Sequence, residues 1–530
     1  MRGGVIMAYT TIHTKKNGVK YVYSVEGYWD KDKKAPRNRQ VCLGRLDEKT
    51  GEVIPSSRKT RVAKRAAKAP EVTATSKIIG PFLLLDKISH EIGLPKVLRR
   101  CFPNCHLQLL SLAYFLVQKG HALSRSEIWS ATNVHPLGEV MPSQRTSELL
   151  NSITEDGRQM FFSKWMKTIC AKEYLCYDIT SISSYSEGNE YVRWGHNRDL
   201  EKLPQVNLAM LFGQNSGLPA YYRRLPGSIP DVATLKTTMD ALDFIENKKL
   251  TFVLDRGFYS ASNVDALFAA HYDFILAVPT SRIWIERIID KHRDEIMLPD
   301  HYHVTGENES LFMLTHLHQW KGKRCYLQIY YNNAKAAEDY DAFTTQLLHL
   351  KQELETKNER SENADDYKRF FVVNETPKRG RKIMFNNSAI EEYRKKYVGF
   401  FCLLTKKKLN PFEALEFYRR KEKVENCFDD MKNQLDMKRL RIHSSQAMDA
   451  RLFVQFLALI LLTKVRLIIK RSKELKNLTV REVMEAMETI TEIKYSGRYG
   501  SLITEAGLLQ REIMAAFGLP PETLLHDSGK

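Results

Sequence analysis

Two short apolar runs, each followed by an aspartate, most constrain how this chain can fold. Tyr174-Leu-Cys-Tyr leads into Asp178, and Leu250-Thr-Phe-Val-Leu leads into Asp255. Apolar runs of this length are typical of buried strands, so both aspartates are predicted at strand ends. An aspartate at a strand end is also a common turn residue. Taken singly, either aspartate would be interpreted as a structural turn residue and not as a catalytic one.

A third acid, Glu425, lies in a segment predicted as one continuous helix. At 3.6 residues per turn, Tyr418, Lys421, Glu425, Phe428 and Lys432 fall on a single stripe of that helix. The alternative is a solvated face of Lys–Glu pairs. The two aromatic residues on the stripe argue against full exposure.

Two acids at strand ends and one on a later helix can converge at one edge of an α/β sheet. Carboxylates without interleaved Cys or His favour a hard cation, Mg²⁺ or Mn²⁺. Such sites serve metal-assisted phosphoryl transfer. We therefore predict Asp178, Asp255 and Glu425 as catalytic residues and metal ligands.

The charge balance favours a polyanionic partner. The chain has 530 residues and a formal net charge of +18, and nucleic acid is the usual partner of such a surplus. Many basic proteins bind no DNA, so charge alone does not decide. The expected contributors to DNA binding are the basic clusters at 58–68, 378–382 and 406–408, although 56–70 reads equally well as a solvated linker.

The length predicts several domains, and changes in residue pattern place their boundaries. The chain begins with alternating residues and an Asn-Gly turn, typical of a small antiparallel sheet, and continues with helical periodicity. An α/β pattern then runs to about 280, is interrupted, and resumes near 396. The predicted divisions are a small β region with a basic linker (1–70), a helical, DNA-binding domain (71–170), a catalytic core in two parts (171–280 and 396–470), a strand-rich insertion (281–395) and a helical C-terminal region (471–530).

Scattered single cysteines are typical of a reduced, cytoplasmic protein, here expected to be associated with the nucleoid. No secretory signal is expected at the start of the chain. The longest apolar stretch, from Leu452 to Thr463, contains Gln455 and is too short to span a bilayer. It predicts a buried helix and no membrane association.

The helix stripe resembles the Tyr-Arg-Glu-Lys signature of DDE-class insertion-sequence transposases. Tyr418, Glu425 and Lys432 match that signature at full spacing, and Lys421 stands where it has Arg. That substitution keeps the charge but loses the bidentate fork. Asp178 in Tyr-Asp-Ile-Thr-Ser and Asp255 in Leu-Asp-Arg-Gly-Phe resemble the first and second catalytic acids of the family, and the resemblance covers roughly residues 170 to 465.

The resemblance implies a ribonuclease-H-like core with a strand-rich insertion between Asp255 and Glu425. It also implies binding of terminal inverted repeats and target DNA, a homodimer on paired ends, magnesium, and cutting and rejoining of double-stranded DNA. Two ions about 3.5 to 4 Å apart would clamp the scissile phosphate. The residues expected to bind DNA are Tyr418, Lys421, Lys432 and Arg256.

Two alternatives stay open. A metal-dependent endonuclease on the same fold would cut DNA without strand transfer, and a non-catalytic derivative would only bind it. Trp284 and Trp320, in the predicted insertion, could hold a flipped base during hairpin formation, although buried core tryptophan is the more ordinary interpretation of each.

Overall fold

The computed structural model describes most of the chain, in stretches separated by short gaps. They are residues 8–30, 35–55, 73–169, 174–186, 188–195, 197, 201–242, 250–306, 309–334, 336–376, 380–435, 437–440, 442, 444–496 and 500–520. They belong to two compact units, one within Met1–Thr75 and Lys494–Gly500, the other within Ser76–Ile493 and Ser501–Lys530.

The first unit contains a four-stranded antiparallel sheet in the order β1-β2-β3-β4. Its strands are β1 (Ala8–Thr14), β2 (Lys20–Asp30), β3 (Ala35–Leu46) and β4 (Val53–Pro55). The predicted Asn-Gly turn joins β1 to β2. Gly18 there has a φ of 79°, which glycine adopts without the steric cost that a side chain would add. The antiparallel sheet predicted for residues 8–55 is confirmed.

The second unit begins with helices that pack around one long apolar helix, α15 (Ser445–Arg471). Phe453 of α15 contacts the rings of Phe102 and Phe161 at centroid distances of 5.3 and 5.1 Å. The helices are α1 (Gly80–Glu91), α2 (Leu94–Cys101), α3 (His106–Lys119), α4 (Ser126–Thr132), α5 (Ser143–Ser152) and α6 (Glu155–Ile169). The helical pattern predicted from residue 78 is confirmed up to Ile169. A DNA-binding role for this region, and the six predicted divisions of the chain, stay predictions.

Within the described residues, α15 is the helix that is long and apolar enough to cross a membrane, but 78% of its most apolar window is buried inside the protein. The side chains from Leu452 to Thr463 are all buried. Gln455, the polar residue among them, donates a hydrogen bond to the Leu435 carbonyl at 3.1 Å. The buried helix predicted for this stretch is confirmed.

A large mixed sheet forms the centre of the second unit. Its strands β16, β10, β9, β6, β7 and β8 lie side by side in that order, and β17 lies beside one end of β6. β9 is parallel to both β6 and β10, whereas β7, β8 and β16 are antiparallel to their neighbours. These strands are β6 (Tyr174–Ser184), β7 (Gln205–Gly213), β8 (Pro219–Pro226), β9 (Thr251–Leu254), β10 (Asp273–Val278), β16 (Phe400–Thr405) and β17 (Arg439–Leu440).

Two helices, α7 (Asp231–Ala241) and α8 (Ala261–Ala269), follow β8 and β9. The Tyr177 hydroxyl of β6 bonds to Thr234 and Thr238 of α7 at 3.0 and 3.1 Å, which fastens α7 to the sheet. The predicted order of strand, hairpin, helix, strand, helix and strand is therefore confirmed. The predicted continuation of α7 towards Lys248 lies outside the described residues.

The segment predicted as a strand-rich insertion, 281–395, contains both strands and helices, and its assignment as an insertion stays a prediction. Its first three strands, β11 (Tyr302–Gly306), β12 (Glu309–Trp320) and β13 (Lys323–Tyr331), pair with one another and then with β16, so they extend the central sheet. The rest is largely helical because its apolar residues recur at helical spacing. It comprises α9 (Ile283–Ile296), α10 (Ala336–Glu355), α11 (Ala364–Phe370), α12 (Asn387–Tyr397) and a hairpin of β14 (Phe371–Thr376) and β15 (Gly380–Phe385).

The position predicted for Asp178 at a strand end is also wrong. β6 continues for six residues beyond Asp178, because Ile179-Thr-Ser-Ile keeps a strand-forming composition and pairs with β7 throughout. What ends near Asp178 is the neighbour: β9 stops at Leu254, which pairs with Tyr177. The other described elements are β5 (Ala74–Ile78), α13 (Pro411–Arg419), α14 (Glu422–Asn433), α16 (Val480–Met487), β18 (Thr491–Tyr495), β19 (Ser501–Ile503) and α17 (Leu508–Ala516).

Candidate active site

The parallel register of β6 and β9 brings the two aspartates to the same level of the sheet. Tyr177 pairs with Leu254, so Asp178 and Asp255 each follow a residue of the last pair. Both line a cavity of about 370 Å³ that Glu425 also lines. The three sequence-predicted acids therefore share one cavity. Its full lining is Asp178, Ile179, Thr180, Asp255, Gly257, Phe258, Glu425, Phe428, Asp429 and Lys432.

Asp255 is the most constrained of these acids. Its Oδ1 accepts hydrogen bonds from the Tyr418 hydroxyl at 2.7 Å and the Arg256 amide at 2.8 Å, and its Oδ2 lies 2.8 Å from Lys421 Nζ. Burial acts to raise the pKa of Asp255, but Lys421, Tyr418 and the Arg256 amide together hold that pKa below its usual value. Asp255 is thus kept as an oriented anion.

Asp178 sits inside a paired strand and lines the cavity from the β6 side. Its Oδ1 accepts a hydrogen bond from the Ile179 amide at 2.8 Å. β7 pairs with Asp178, and β9 pairs with the four residues before it, so the backbone that carries Asp178 has little freedom to shift. The backbone of β6 therefore fixes where Asp178 enters the cavity wall.

The single helix predicted from Tyr418 to Lys432 is wrong, because α13 ends at Arg419 and α14 begins at Glu422. Arg420 and Lys421 form the turn between them. Near-helical backbone angles at both residues, with a hydrogen bond from the Val424 amide to the Lys421 carbonyl at 2.7 Å, keep the change of direction small. Tyr418 and Lys421 therefore still face Asp255, although they do not share one helix with Glu425.

Contacts with the sheet hold α13 in place. The Phe417 ring stacks on Tyr174 of β6 at 3.7 Å between centroids, and the Phe417 carbonyl accepts a hydrogen bond from Gln214 at 2.5 Å. At the end of α13, Arg419 forms an ion pair with Glu309 of β12 at 2.6 Å. The contacts of Phe417 and Arg419 therefore fix the position of the helix that carries Tyr418.

The α14 helix is held by its apolar face. Val424, Cys427, Phe428 and Met431 are buried, and the Cys427 thiol lies 3.2 Å from the Thr463 hydroxyl of α15. Half-buried Tyr418 and buried Phe428 confirm that the stripe is not a fully solvated face. The adjacent face of α14, which shares Phe428 with the apolar face, lines the cavity.

That face carries an acid that the sequence analysis missed. Asp429 lies four residues after Glu425 and lines the same cavity with it. Residues at i and i+4 occupy one face of a helix, so this spacing could have identified Asp429. Glu425 is 60% exposed and its Oε1 lies 3.9 Å from Lys421 Nζ. Lys432, on the same face two turns after Glu425, is half-buried at the cavity wall.

The other predicted DNA-binding groups differ in their surroundings. The Arg256 side chain is exposed beside the cavity. In the 406–408 cluster, Lys406 donates to the His271 carbonyl at 2.9 Å and Lys407 pairs with Asp273 at 2.6 Å, so two of its three cations already bind the protein. The 58–68 cluster and part of 378–382 lie outside the described residues.

Trp284 and Trp320 are half-buried, so the interpretation of both as core residues is corrected. They meet edge to face at 5.9 Å, and Trp284 stacks on His318 at 4.6 Å. The Trp284 indole donates a hydrogen bond to the Tyr259 hydroxyl at 3.0 Å. Because Tyr259 follows Asp255 by four residues, this contact ties the aromatic group to the loop that carries the second acid.

The donor chemistry of the cavity suits a hard divalent cation, since Asp178, Asp255, Glu425 and Asp429 all present carboxylates. The Lys421 ammonium, 2.8 Å from Asp255 and 3.9 Å from Glu425, already places a positive charge between two of them. As the side chains stand, no three Asp, Glu, His or Cys in the described stretches are gathered closely enough to hold a metal ion.

Comparison with known proteins identifies the family of this chain. The solved synaptic complex of the piggyBac transposase with hairpin DNA is similar at 11% sequence identity and a TM-score of 0.34, over 76% of this chain and 70% of that chain. No curated protein sequence matches the chain. Residues 170–461 match the family described as Transposase DDE domain, and this stretch contains Asp178, Asp255 and Glu425. Because the match covers more than half of the chain, the protein belongs to the family of transposases with a DDE domain.

Proposed function

We propose that this DNA transposase cuts and rejoins DNA at a site formed by Asp178, Asp255 and Glu425. The observation that carries the proposal is that these acids, predicted separately from the sequence, line one cavity together with Lys432. A cavity with several carboxylates and a cation at its wall can accept both a divalent ion and a phosphate group. The family match over residues 170–461 supports the same activity.

The core is proposed to be ribonuclease-H-like. In support, β8, β7 and β6 form an antiparallel meander, followed across β6 by the parallel strands β9 and β10. The first acid lies on β6, the second directly follows the adjacent parallel strand β9, and the third is on a helix that packs near β6. This arrangement is the one that the Tyr-Arg-Glu-Lys resemblance implies.

Asp178, Asp255 and Glu425 would hold magnesium or manganese, with Asp429 beside them. The ions would supply Lewis-acid activation of a water or a 3′-hydroxyl and would stabilise the leaving oxygen of the phosphodiester. Tyr418 keeps Asp255 in one orientation through its 2.7 Å hydrogen bond. Because burial and the charge of Asp255 raise the pKa of Tyr418, its hydroxyl remains a donor at neutral pH.

Lys421 has two roles in this proposal. Without DNA, its ammonium neutralises Asp255 and Glu425 and so limits their mutual repulsion. With a divalent ion held by these acids, the Lys421 side chain would be able to bind a phosphate oxygen of the substrate. Lys432 and the exposed Arg256 would bind neighbouring phosphates.

The proposed partners are the terminal inverted repeats and a target duplex, bound by a homodimer on paired ends. The formal charge of +18 supports a polyanionic partner, and the absence of a disulfide among the seven cysteines of the described residues is compatible with the proposed cytoplasmic, nucleoid-associated location. Assignment to the Tyr-Arg-Glu-Lys branch is supported by Tyr418, Glu425 and Lys432. Lys421 departs from it.

The proposal is tested with Asp178→Ala, Asp255→Ala and Glu425→Ala on a plasmid that carries the DNA flanking this reading frame. Each variant should lose Mg²⁺-dependent cleavage while keeping DNA binding, and the triple variant should be little worse than any single one, because the residues act as a unit. Glu362→Ala, a half-exposed acid outside the cavity lining, is the matched control. A single variant with substantial cleavage would remove its residue from the site.

Joining is measured separately. Cleaved ends with free 3′-hydroxyls are incubated with a supercoiled target plasmid, and integration products are counted. Wild-type protein that cuts but never joins would identify an endonuclease without strand transfer. Protein that binds the flanking DNA without cutting it would identify a non-catalytic derivative.

A further inference from the structure

The strand β1 has one side without a partner among the described residues. β1 pairs with β2 along its whole length, and it lies at one end of the strand order of its sheet. Six of its seven residues are exposed, and Tyr9 and Ile12 are 52% and 57% exposed. The side of β1 that faces away from β2, here called the outer side, is therefore open to solvent.

The turn after β1 determines which of its backbone groups point to the outer side. The Lys15 amide donates a hydrogen bond to the Val19 carbonyl at 3.0 Å, and the Lys15 carbonyl accepts one from the Gly18 amide at 2.9 Å. Lys15 and Val19 therefore close the hairpin as a hydrogen-bonded pair, and such pairs alternate with non-hydrogen-bonded pairs along an antiparallel ladder. The odd-numbered residues of β1 thus bond to β2, and the even-numbered residues direct their N–H and C=O groups to the outer side.

The composition of β1 leaves the outer side able to pair with another strand. β1 contains no acidic residue, lysine, arginine or proline. The strand at the other end of the sheet, β4, is three residues long and ends in Pro55, which has no N–H to donate. Shortness, charge and proline are the features that keep an exposed strand from pairing. β4 has two of them, whereas the seven-residue β1 has none.

A two-fold axis through Thr11 would pair the outer sides of two copies over all seven residues of β1. Thr10 then lies opposite Ile12 of the second copy, and because both numbers are even, their outward backbone groups bond to each other. Thr11 lies opposite itself, and Tyr9 lies opposite His13, which already contacts a tyrosine ring of β2 at 5.2 Å. Thr–Thr and aromatic pairs across strands are favourable. A register shifted by two residues would leave two residues of each β1 unpaired.

Charge also favours a second copy as the occupant of the outer side. In this register Lys15 of each copy lies beyond opposite ends of the paired strands, so the two lysines do not face each other. Like charges directly opposite would destabilise the pair. DNA is a poor occupant, because phosphate binding needs lysine or arginine and β1 has neither. The side chains along β1 instead complement those of their own copy.

We propose that two copies of this chain associate through the outer sides of β1, which joins their four-stranded sheets into one. The inference rests on the proposed function, since it names the surface by which the homodimer forms. Each copy donates and accepts hydrogen bonds at the four even-numbered residues of β1, so the ladder between the copies is as regular as the ladder inside each sheet. The association is expected without DNA.

The register is tested by cross-linking the full-length chain without DNA. Thr11 and its copy form a non-hydrogen-bonded pair, whose Cα atoms lie about 4.5 Å apart, a separation that a disulfide spans. T11C oxidised with copper phenanthroline should therefore run as a cross-linked dimer on a non-reducing gel. T14C is the matched control, because Thr14 of each copy lies six residues along the strand from the other, about 20 Å away. T14C and the wild type should stay uncross-linked.

The association itself is measured by sedimentation equilibrium, where the wild type should have twice the 61.4 kDa of one chain. T10P removes one outward N–H from each copy without touching the bonds to β2, and the two acceptors left unpaired should raise the dissociation constant by about 30-fold or more. I12K places two ammonium groups on a diagonal of about 7–8 Å and should act in the same direction. V53K, on the exposed strand β4, should dimerise like the wild type.

Three results would overturn the inference. A wild-type dimer that T10P and I12K do not weaken, with T11C uncross-linked, would place the interface elsewhere, and the proposed function would stand. A monomeric wild type with T11C uncross-linked would leave the outer side of β1 to a strand of another protein. A wild type that neither dimerises nor cuts the flanking DNA would make both proposals wrong. If T10P or I12K fails to fold by circular dichroism, the comparison of T11C with T14C decides alone.

Discussion

The buried ion pair between Asp430 and Arg466 joins the helix that carries Glu425 to the central helix α15. Only 3% of the Asp430 side chain is exposed. Burial raises the pKa of Asp430 to about 6 from 3.8, even though the charge and hydrogen bond of Arg466 act to lower it. Replacing Arg466 with Met should therefore destabilise the protein in a way that depends on pH.

The size of the destabilisation follows from the burial of Asp430. Removing one partner of a buried pair typically costs about 3–5 kcal/mol because an uncompensated charge remains. Because the folded-state pKa of Asp430 is above its unfolded value, this group's contribution to stability falls as pH rises from 3.8 through the folded pKa. Without Arg466 that pKa rises further. The cost of Arg466→Met should thus be larger at pH 8 than at pH 6, by up to about 1.4 kcal/mol per pH unit.

Urea unfolding followed by tryptophan emission measures this cost, since Trp165 in the same unit is fully buried. The double variant Asp430→Asn with Arg466→Met should recover stability at pH 8 and lose the extra pH dependence. Arg481→Met, an exposed arginine paired with Glu485, should change stability by about 1 kcal/mol or less. A cost for Arg466→Met below 1 kcal/mol, or one equal at both pH values, would refute the reasoning.

The remaining predictions concern the site and its partner. Lys432→Ala should lower cleavage with little change in melting temperature, whereas Lys438→Ala, which does not line the cavity, should do less; loss of folding in the former would make Lys432 structural. Lys421→Arg should retain or raise cleavage because its guanidinium can bind phosphate with two hydrogen bonds. Asp429→Asn should weaken Mn²⁺ binding measured by calorimetry, and unchanged binding would exclude it as a ligand. Duplex affinity should fall by several decades between roughly 50 and 200 mM salt, with a log–log slope of about −0.9 per phosphate contact.

The parts of this fold that depend on local sequence could be predicted. Alternation around Asn17-Gly18 predicted the first sheet, and the apolar runs before Asp178 and Asp255 predicted two buried strands. The spacing of Tyr418, Glu425 and Lys432 predicted one side of the cavity. These features depend on residues close together in the chain, where periodicity and turn chemistry are informative.

The features that were missed depend on pairing between distant segments. The length of β6 past Asp178 is set by its partner β7, and the break between α13 and α14 by contacts of Phe417 and Arg419 with other elements. Helix periodicity continues through Arg420 and Lys421, so no local signal marks the turn. Asp429 was within reach of the sequence, since its spacing from Glu425 was visible.

The way that β13 joins β16 makes the 281–395 segment inseparable from the catalytic sheet. β16 lies between β10 and β13 and pairs with both, so excising the segment would expose one whole edge of β16 to solvent. Unpaired edges of this kind invite pairing with other chains. A shortened version of this protein would therefore aggregate even though every residue of the cavity was retained. Chain length that looks dispensable along the sequence is, in space, what covers the edge of β16.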